Sequence, residues 1–205
     1  ADLPMIFNGD MVRAILDGRK TQTRRVMKPQ LGDIAHAFQF MPGQWRFIGH
    51  DGCRQHQVCR IPYASGDRLW VRESFAVSGI GWGKKPSQAI GGRVHYRADP
   101  DHGWHDYWGS WRPSIHMPRW ASRLTLTVTD VRVQRVREIS EADARSEGCP
   151  CQTDEELAGM EARGWFRDLW DGICAERGLG WAGNPWVCAL TFTVHHCNID
   201  KMEAC

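Results

Sequence analysis

The sequence predicts an α+β fold, a small mixed β-barrel flanked by helices, on three observations. Residues 122 to 136 alternate apolar with polar residues, as half-buried strands do, residues 186 to 194 set Trp186, Cys188, Leu190, Phe192 and Val194 on one strand face, and residues 165 to 177 repeat apolar residues at helical spacing. The alternation within 122 to 136 also changes parity: Leu124, Leu126 and Val128 share one face, whereas Val131 and Val133 take the other. Asp130 is therefore expected to mark a bulge or bend, the device by which strands of small barrels change sheet.

The elements follow in chain order. Asp10 can cap a short helix in which Met11 lies four residues before Ile15, and Val12 four before Leu16. Gly18 suits the left-handed position that ends such a helix. The stretch DGRKTQTRR, residues 17 to 25, leaves that end; with Lys28 it places Arg19, Lys20, Arg24 and Arg25 in a run without an acid after Asp17. Cations suit a helix C-terminus, so a solvated basic loop and a phosphate-binding site are both open readings. Residues 29 to 66, with Pro29, Pro42 and Pro62 and a Ser65-Gly66-Asp67 turn, are expected to be irregular.

Residues 68 to 75 read as a strand with Leu69, Val71, Glu73 and Phe75 on one face. Glu73 is the odd member, because a carboxylate on an apolar face needs a cationic or hydrogen-bonding partner or a retained proton. Arg72 in an exposed salt bridge is the simplest partner. Residues 76 to 120 are rich in Gly, Pro and Trp, with one strand expected at 93 to 98; such a stretch is usually a binding loop or insertion. Its Trp82, Trp104, Trp108, Trp111 and Trp120 can pack a core or stack on bases.

Ser140 with Asp143 predicts a capped short helix ending at Gly148, and Thr153 with Glu156 a capping box. Phe166, Leu169, Trp170 and Ile173 then form a helical apolar stripe closed by Gly178. Asn184-Pro185 turns into the last strand, with Trp186, Cys188, Leu190, Phe192 and Val194 on one face.

At 205 residues, 42% hydrophobic and 24% charged, the chain has the composition of a globular domain, with no long apolar run and no signal-peptide pattern over residues 1 to 7. A cytoplasmic protein without a membrane partner is expected. A net charge of +2 excludes a binder that coats nucleic acid by bulk charge and leaves only the local basic cluster. The eight cysteines are expected to be thiols. His50, Cys53, His56 and Cys59 recur every third residue and are the metal-ligand candidates. Closed zinc sites separate two ligand pairs by a dozen or more residues, so no zinc and no other cofactor is expected there. Cys149-x-Cys151 and the group His195, His196 and Cys197 are incomplete ligand sets.

With these pieces placed, the chain resembles the ASCH-domain family of the PUA-like superfold, in particular its bacteriophage-type members. The resemblance is carried by ILDGRKTQTRR (15 to 25), GDRLWVRESF (66 to 75), WRPSIHMPRWASRLTLTVTDVRVQRVREIS (111 to 140) and NPWV (184 to 187). It implies one domain over residues 1 to 197, with insertions at about 29 to 66 and 76 to 120 and a tail from 198 to 205. It also implies the host cytoplasm for a phage-encoded chain, and a modified nucleoside, RNA or single-stranded nucleic acid as partner. Small bacterial relatives are amidohydrolases that remove the acetyl group from N4-acetylcytidine; the resemblance implies catalytic roles for Lys20, Thr23 and Glu73. Arg19, Arg24, Arg25 and Trp70 are then candidates for holding substrate or phosphate.

Two hypotheses follow. One is an N4-acyl-cytidine hydrolase; the other is a non-catalytic reader of RNA or modified nucleic acid, with the arginines on phosphates and a tryptophan on a base. Amide hydrolysis needs a nucleophile, a proton donor for the amine and stabilisation of the oxyanion. A Thr23 acyl intermediate and a water activated by Glu73 are both open. In an extended strand Lys20 and Thr23 point to opposite faces, so their convergence requires a turn after Gly18.

Overall fold

The computed structural model describes residues 1–30, 34–41, 44–49, 54–78, 93–99, 110–150 and 161–204. They belong to two compact units, each built from separated stretches of chain: Ala1–Gly18, Arg68–Thr127 and Val194–Cys205 form the first, Arg19–Asp67 and Val128–Thr193 the second.

In the first unit, strand β1 (Asp2–Ile6) runs parallel to β6 (Arg68–Arg72), which pairs antiparallel with the opening residues of β9 (Thr125–Arg135), Leu69 facing Leu126. Leu69, Trp70 and Val71 are consecutive and buried, so both faces of β6 are covered. The expected strand 68 to 75 is broken at Glu73, whose N–H leaves the ladder for the Met117 sulfur at 3.4 Å. The chain resumes as β7 (Phe75–Val77), paired with β8 (Val94–Tyr96), over a small core of Phe75, Val77, Met117 and Ala121. Helix α1 (Gly9–Leu16) buries Val12, Ala14 and Ile15. Its cap is Asn8, not Asp10: the Asn8 Oδ1 accepts from the Met11 N–H at 2.9 Å, whereas Asp10 lies in the first turn and pairs with Arg13. Gly18, at φ 74°, ends the helix as expected.

The second unit pairs β2 (Gln22–Val26) antiparallel with β10 (Trp186–His195), Thr23 opposite Leu190 and Arg24 opposite Ala189. Helix α2 (Glu141–Ser146) is capped by Ser140, whose hydroxyl accepts from the Asp143 N–H at 3.1 Å. Helix α3 (Ala162–Cys174) buries Ala162, Phe166, Trp170 and Cys174, four apart, against Val136, Ile139, Ala144 and Val187. Ile173, expected on that stripe, is 46% exposed because the buried line follows the i, i+4 ridge and passes beside it. Gly178, at φ 70°, closes the segment. Where irregular chain was expected, β3 (Ile34–Met41), β4 (Gln44–Gly49) and β5 (Arg54–Arg60) form an antiparallel sheet with Trp45 and Phe47 buried on one face. The Thr153–Glu156 capping box and Trp82, Trp104 and Trp108 lie outside the described residues.

The class is α+β as expected, but the barrel is not: the strands form sheets of five, three and two, and none closes on itself among the described residues. The buried parity does change at Asp130, since Val128 and Val131 are buried while Thr129 and Asp130 are exposed, within a strand that is continuous from Thr125 to Arg135. Pro4 in β1 has no N–H for a ladder, which suits an edge strand. Among the described residues no helix is long and apolar enough to cross a membrane.

Candidate active site

The basic stretch folds inward. From Lys20 the chain is extended, with Lys20 bridged to Glu147 and the Thr21 N–H donating to the Ser146 carbonyl at 2.9 Å. Strand alternation then sorts the side chains. Lys20, Gln22 and Arg24 meet the carboxylates of Glu147 and Asp143; Thr23 lies with Arg25, whose Nη1 donates to the Thr23 Oγ1 at 3.0 Å. The turn that would bring Thr23 onto Lys20 is absent.

Lys20 Nζ donates to the Glu147 Oε2 at 2.6 Å and to the Glu147 carbonyl at 2.8 Å. Arg24 donates to the other Glu147 oxygen at 3.0 Å and to Asp143 at 3.1 Å, and Asp143 also accepts from Arg132 and Gln22. Lys20, Arg24 and Glu147 are 0%, 3% and 3% exposed, so this is an ion network out of water. Burial of opposite charges without partners would cost several kcal/mol per ion, and each charge here has at least one. Arg24 Nε lacks a hydrogen-bond partner among the described residues; the guanidinium lies over the Phe166 ring at 5.7 Å.

Burial lowers the Lys20 pKa from its ordinary value of 10.5, against the pull of Glu147, and the positive charges of Arg25 and Arg24 add to the lowering. Burial works against ionisation of Asp143, but hydrogen bonds from Arg132 and Gln22 and the field of Arg24 hold it below its usual range. A proton donor and a proton acceptor in direct hydrogen-bond contact have the geometry for proton transfer.

The remaining candidates fall elsewhere. Glu73 is buried, and its carboxylate is held by Arg123, Nε to Oε1 at 3.0 Å and Nη2 to Oε2 at 3.1 Å. Arg72 instead donates to the carbonyls of Ser114 and Ile115 and lies over the Trp70 ring. The carboxylate on Lys20 is therefore Glu147, which the sequence reading missed. Its only signal was position, an acid directly before the helix-closing Gly148. Arg19 donates to the Gly148 carbonyl at 3.0 Å. Arg24, buried among carboxylates, and Arg25, held on Thr23, do not form an open phosphate clamp. Trp70 is buried within β6.

His50 and Cys53 lie outside the described residues, and of His56 and Cys59 only the backbone, within β5, is described. Among the described residues no three His, Cys, Asp or Glu side chains are grouped to hold a metal. Cys174 and Cys188 are free thiols. His195 is taken up by the Thr127 hydroxyl at 3.0 Å.

No protein-family model and no curated protein matches the chain. Among solved structures it is similar to EF3133 from Enterococcus faecalis V583, described under the family model DUF984, at 11% identity and a TM-score of 0.42, over 97% of this chain and 82% of that one.

Proposed function

We propose that the chain is an ASCH-type amidohydrolase that removes an N4-acyl group from a cytidine-type nucleoside or base, with Lys20 and Glu147 as its reacting pair. The observation that carries this reading is the 2.6 Å contact between the Lys20 ammonium and the Glu147 carboxylate in a buried setting. Glu147 takes over the role that the resemblance implied for Glu73.

The Glu147 carboxylate accepts a proton from water as the water oxygen bonds to the acyl carbon. The Lys20 ammonium stabilises the oxyanion and gives its proton to N4 as the carbon–nitrogen bond breaks. Glu147 then returns a proton to Lys20, leaving a carboxylic acid and a free amine. Thr23, held by Arg25 on the other strand face, supports the positioning of β2 and does not form an acyl intermediate. Because the pair is covered, substrate binding must uncover it, and that opening is part of the catalytic cycle.

The test is chromatographic detection of cytidine from N4-acetylcytidine. Lys20→Ala and Glu147→Gln are each expected to lower turnover by orders of magnitude, Thr23→Ala by much less, and Glu73→Gln least. Equal losses at Thr23 and Lys20 would establish the acyl-intermediate route instead. If no product forms while oligonucleotides bind with a salt-sensitive affinity, the chain is a reader and not an enzyme.

A further inference from the structure

A cleft of about 400 Å³ lies wholly within the first unit and is not used by the chemistry above. Its wall includes Ile6 and Phe7 at the end of β1, Arg13 of α1, the Glu73–Ser74 break after β6, and Arg97. That volume is within the range of small-molecule sites.

The charges around it are arranged in two parts. Glu73 contributes a buried carboxylate, and the guanidinium behind it, Arg123, is shared: it also pairs with Asp99 at 2.7 Å. One cation thus serves two carboxylates, so its hold on Glu73 is divided. Each oxygen of Glu73 takes one hydrogen bond from Arg123 and retains acceptor capacity. Burial raises the Glu73 pKa while Arg123 lowers it, so an arriving cation would favour the ionised form.

The other part is positive. Arg97 is exposed and makes no salt bridge among the described residues, whereas Arg13 is matched by Asp10. The cleft-lining amides of Gly9 and Asp10, in the first turn of α1, have no acceptor among the described residues, since the Asn8 side chain caps Met11. Ile6, on the same wall, is 44% exposed and offers apolar surface.

We propose that this cleft binds a free amino acid with an apolar side chain. Its ammonium pairs with Glu73, its carboxylate with Arg97, and its side chain rests on Ile6 and Phe7. The proposal is independent of the deacylation reading, because its residues belong to the first unit and the Lys20 network to the second.

Isothermal titration of the whole chain with L-phenylalanine, L-methionine and L-leucine tests it. At least one is expected to bind at millimolar concentration or below. N-acetyl-L-phenylalanine, which lacks the ammonium, and L-phenylalaninamide, which lacks the carboxylate, should each bind at least tenfold more weakly than L-phenylalanine if that is the ligand, and the corresponding blocked forms likewise for the others. Arg97→Ala, an exposed change with no salt bridge to lose, should weaken the free amino acid and leave the amide unaffected. Glu73→Gln should remove the preference for the free ammonium. Silence from all three amino acids, equal binding of the blocked forms, or an unchanged affinity in Arg97→Ala would each overturn the proposal.

Discussion

The Lys20–Glu147 and Glu73–Arg123 pairs are built from the same charge types and differ in their surroundings. In the first, both partners are almost fully out of water. In the second, the carboxylate is buried but the guanidinium side chain keeps 22% of its exposure and is divided between two acids. A sealed pair is committed: its charges are held for each other, and any partner lost leaves an ion in the dark. A pair whose cation is part-exposed and shared with a second acid has weaker mutual claims. The contrast explains why a buried glutamate is a poor guide to which carboxylate a buried lysine uses.

Lys20→Ala should be the most damaging of these changes. Leaving Glu147 and Arg24 without the ammonium should destabilise the fold by about 3–5 kcal/mol, read from urea denaturation. Lys20→Met combined with Glu147→Leu, which removes both charges, should recover much of that loss. A single variant costing less than ~1 kcal/mol would mean that water reaches the pair and that the two regions do not differ.

Next in size is Arg123→Ala, expected to cost about 1–3 kcal/mol because a buried acceptor loses its donors. The pH dependence of stability should change as well. The Glu73 carboxyl is already raised above its ordinary 4.5 by burial, with Arg123 opposing. For a carboxyl raised in the folded state, the folded chain binds the proton more tightly. Its contribution to stability is therefore present below 4.5 and lost as pH rises through the folded value. Without Arg123 that loss should extend to higher pH, visible as a steeper fall in melting temperature from acid toward neutral pH. The smallest effect is expected at the lip of the cleft: Asn8→Ala removes the α1 cap and should cost ~1 kcal/mol by the same measurement.

Much of the fold was legible because its signals are periodic. The strands near 122 to 136 and 186 to 194, helix α3, and the Ser140, Gly18 and Gly178 boundaries follow from alternation, stripe spacing and the chemistry of caps. The sheet of β3, β4 and β5 was hidden because prolines at 29, 42 and 62 read as punctuation throughout, whereas those positions fall between the strands. At the site, Lys20 was visible as a residue of interest, but its partner was not. Glu147 ends a short polar helix and looks like any solvated acid; only the long-range bridge to Lys20 buries it. Glu73 is legible as a carboxylate in need of a cation, whereas Arg123 stands in the sequence as one arginine among many.

Lys20 and Glu147 are 127 residues apart in the chain. Closing so long a loop is entropically uphill until the segments between have condensed, so this contact belongs to the end of folding and is largely absent from the transition state. Interactions of that kind act on the rate at which a chain comes apart and hardly on the rate at which it assembles. The pair is thus a clasp fastened last, and what it governs is how long each folded molecule survives before opening.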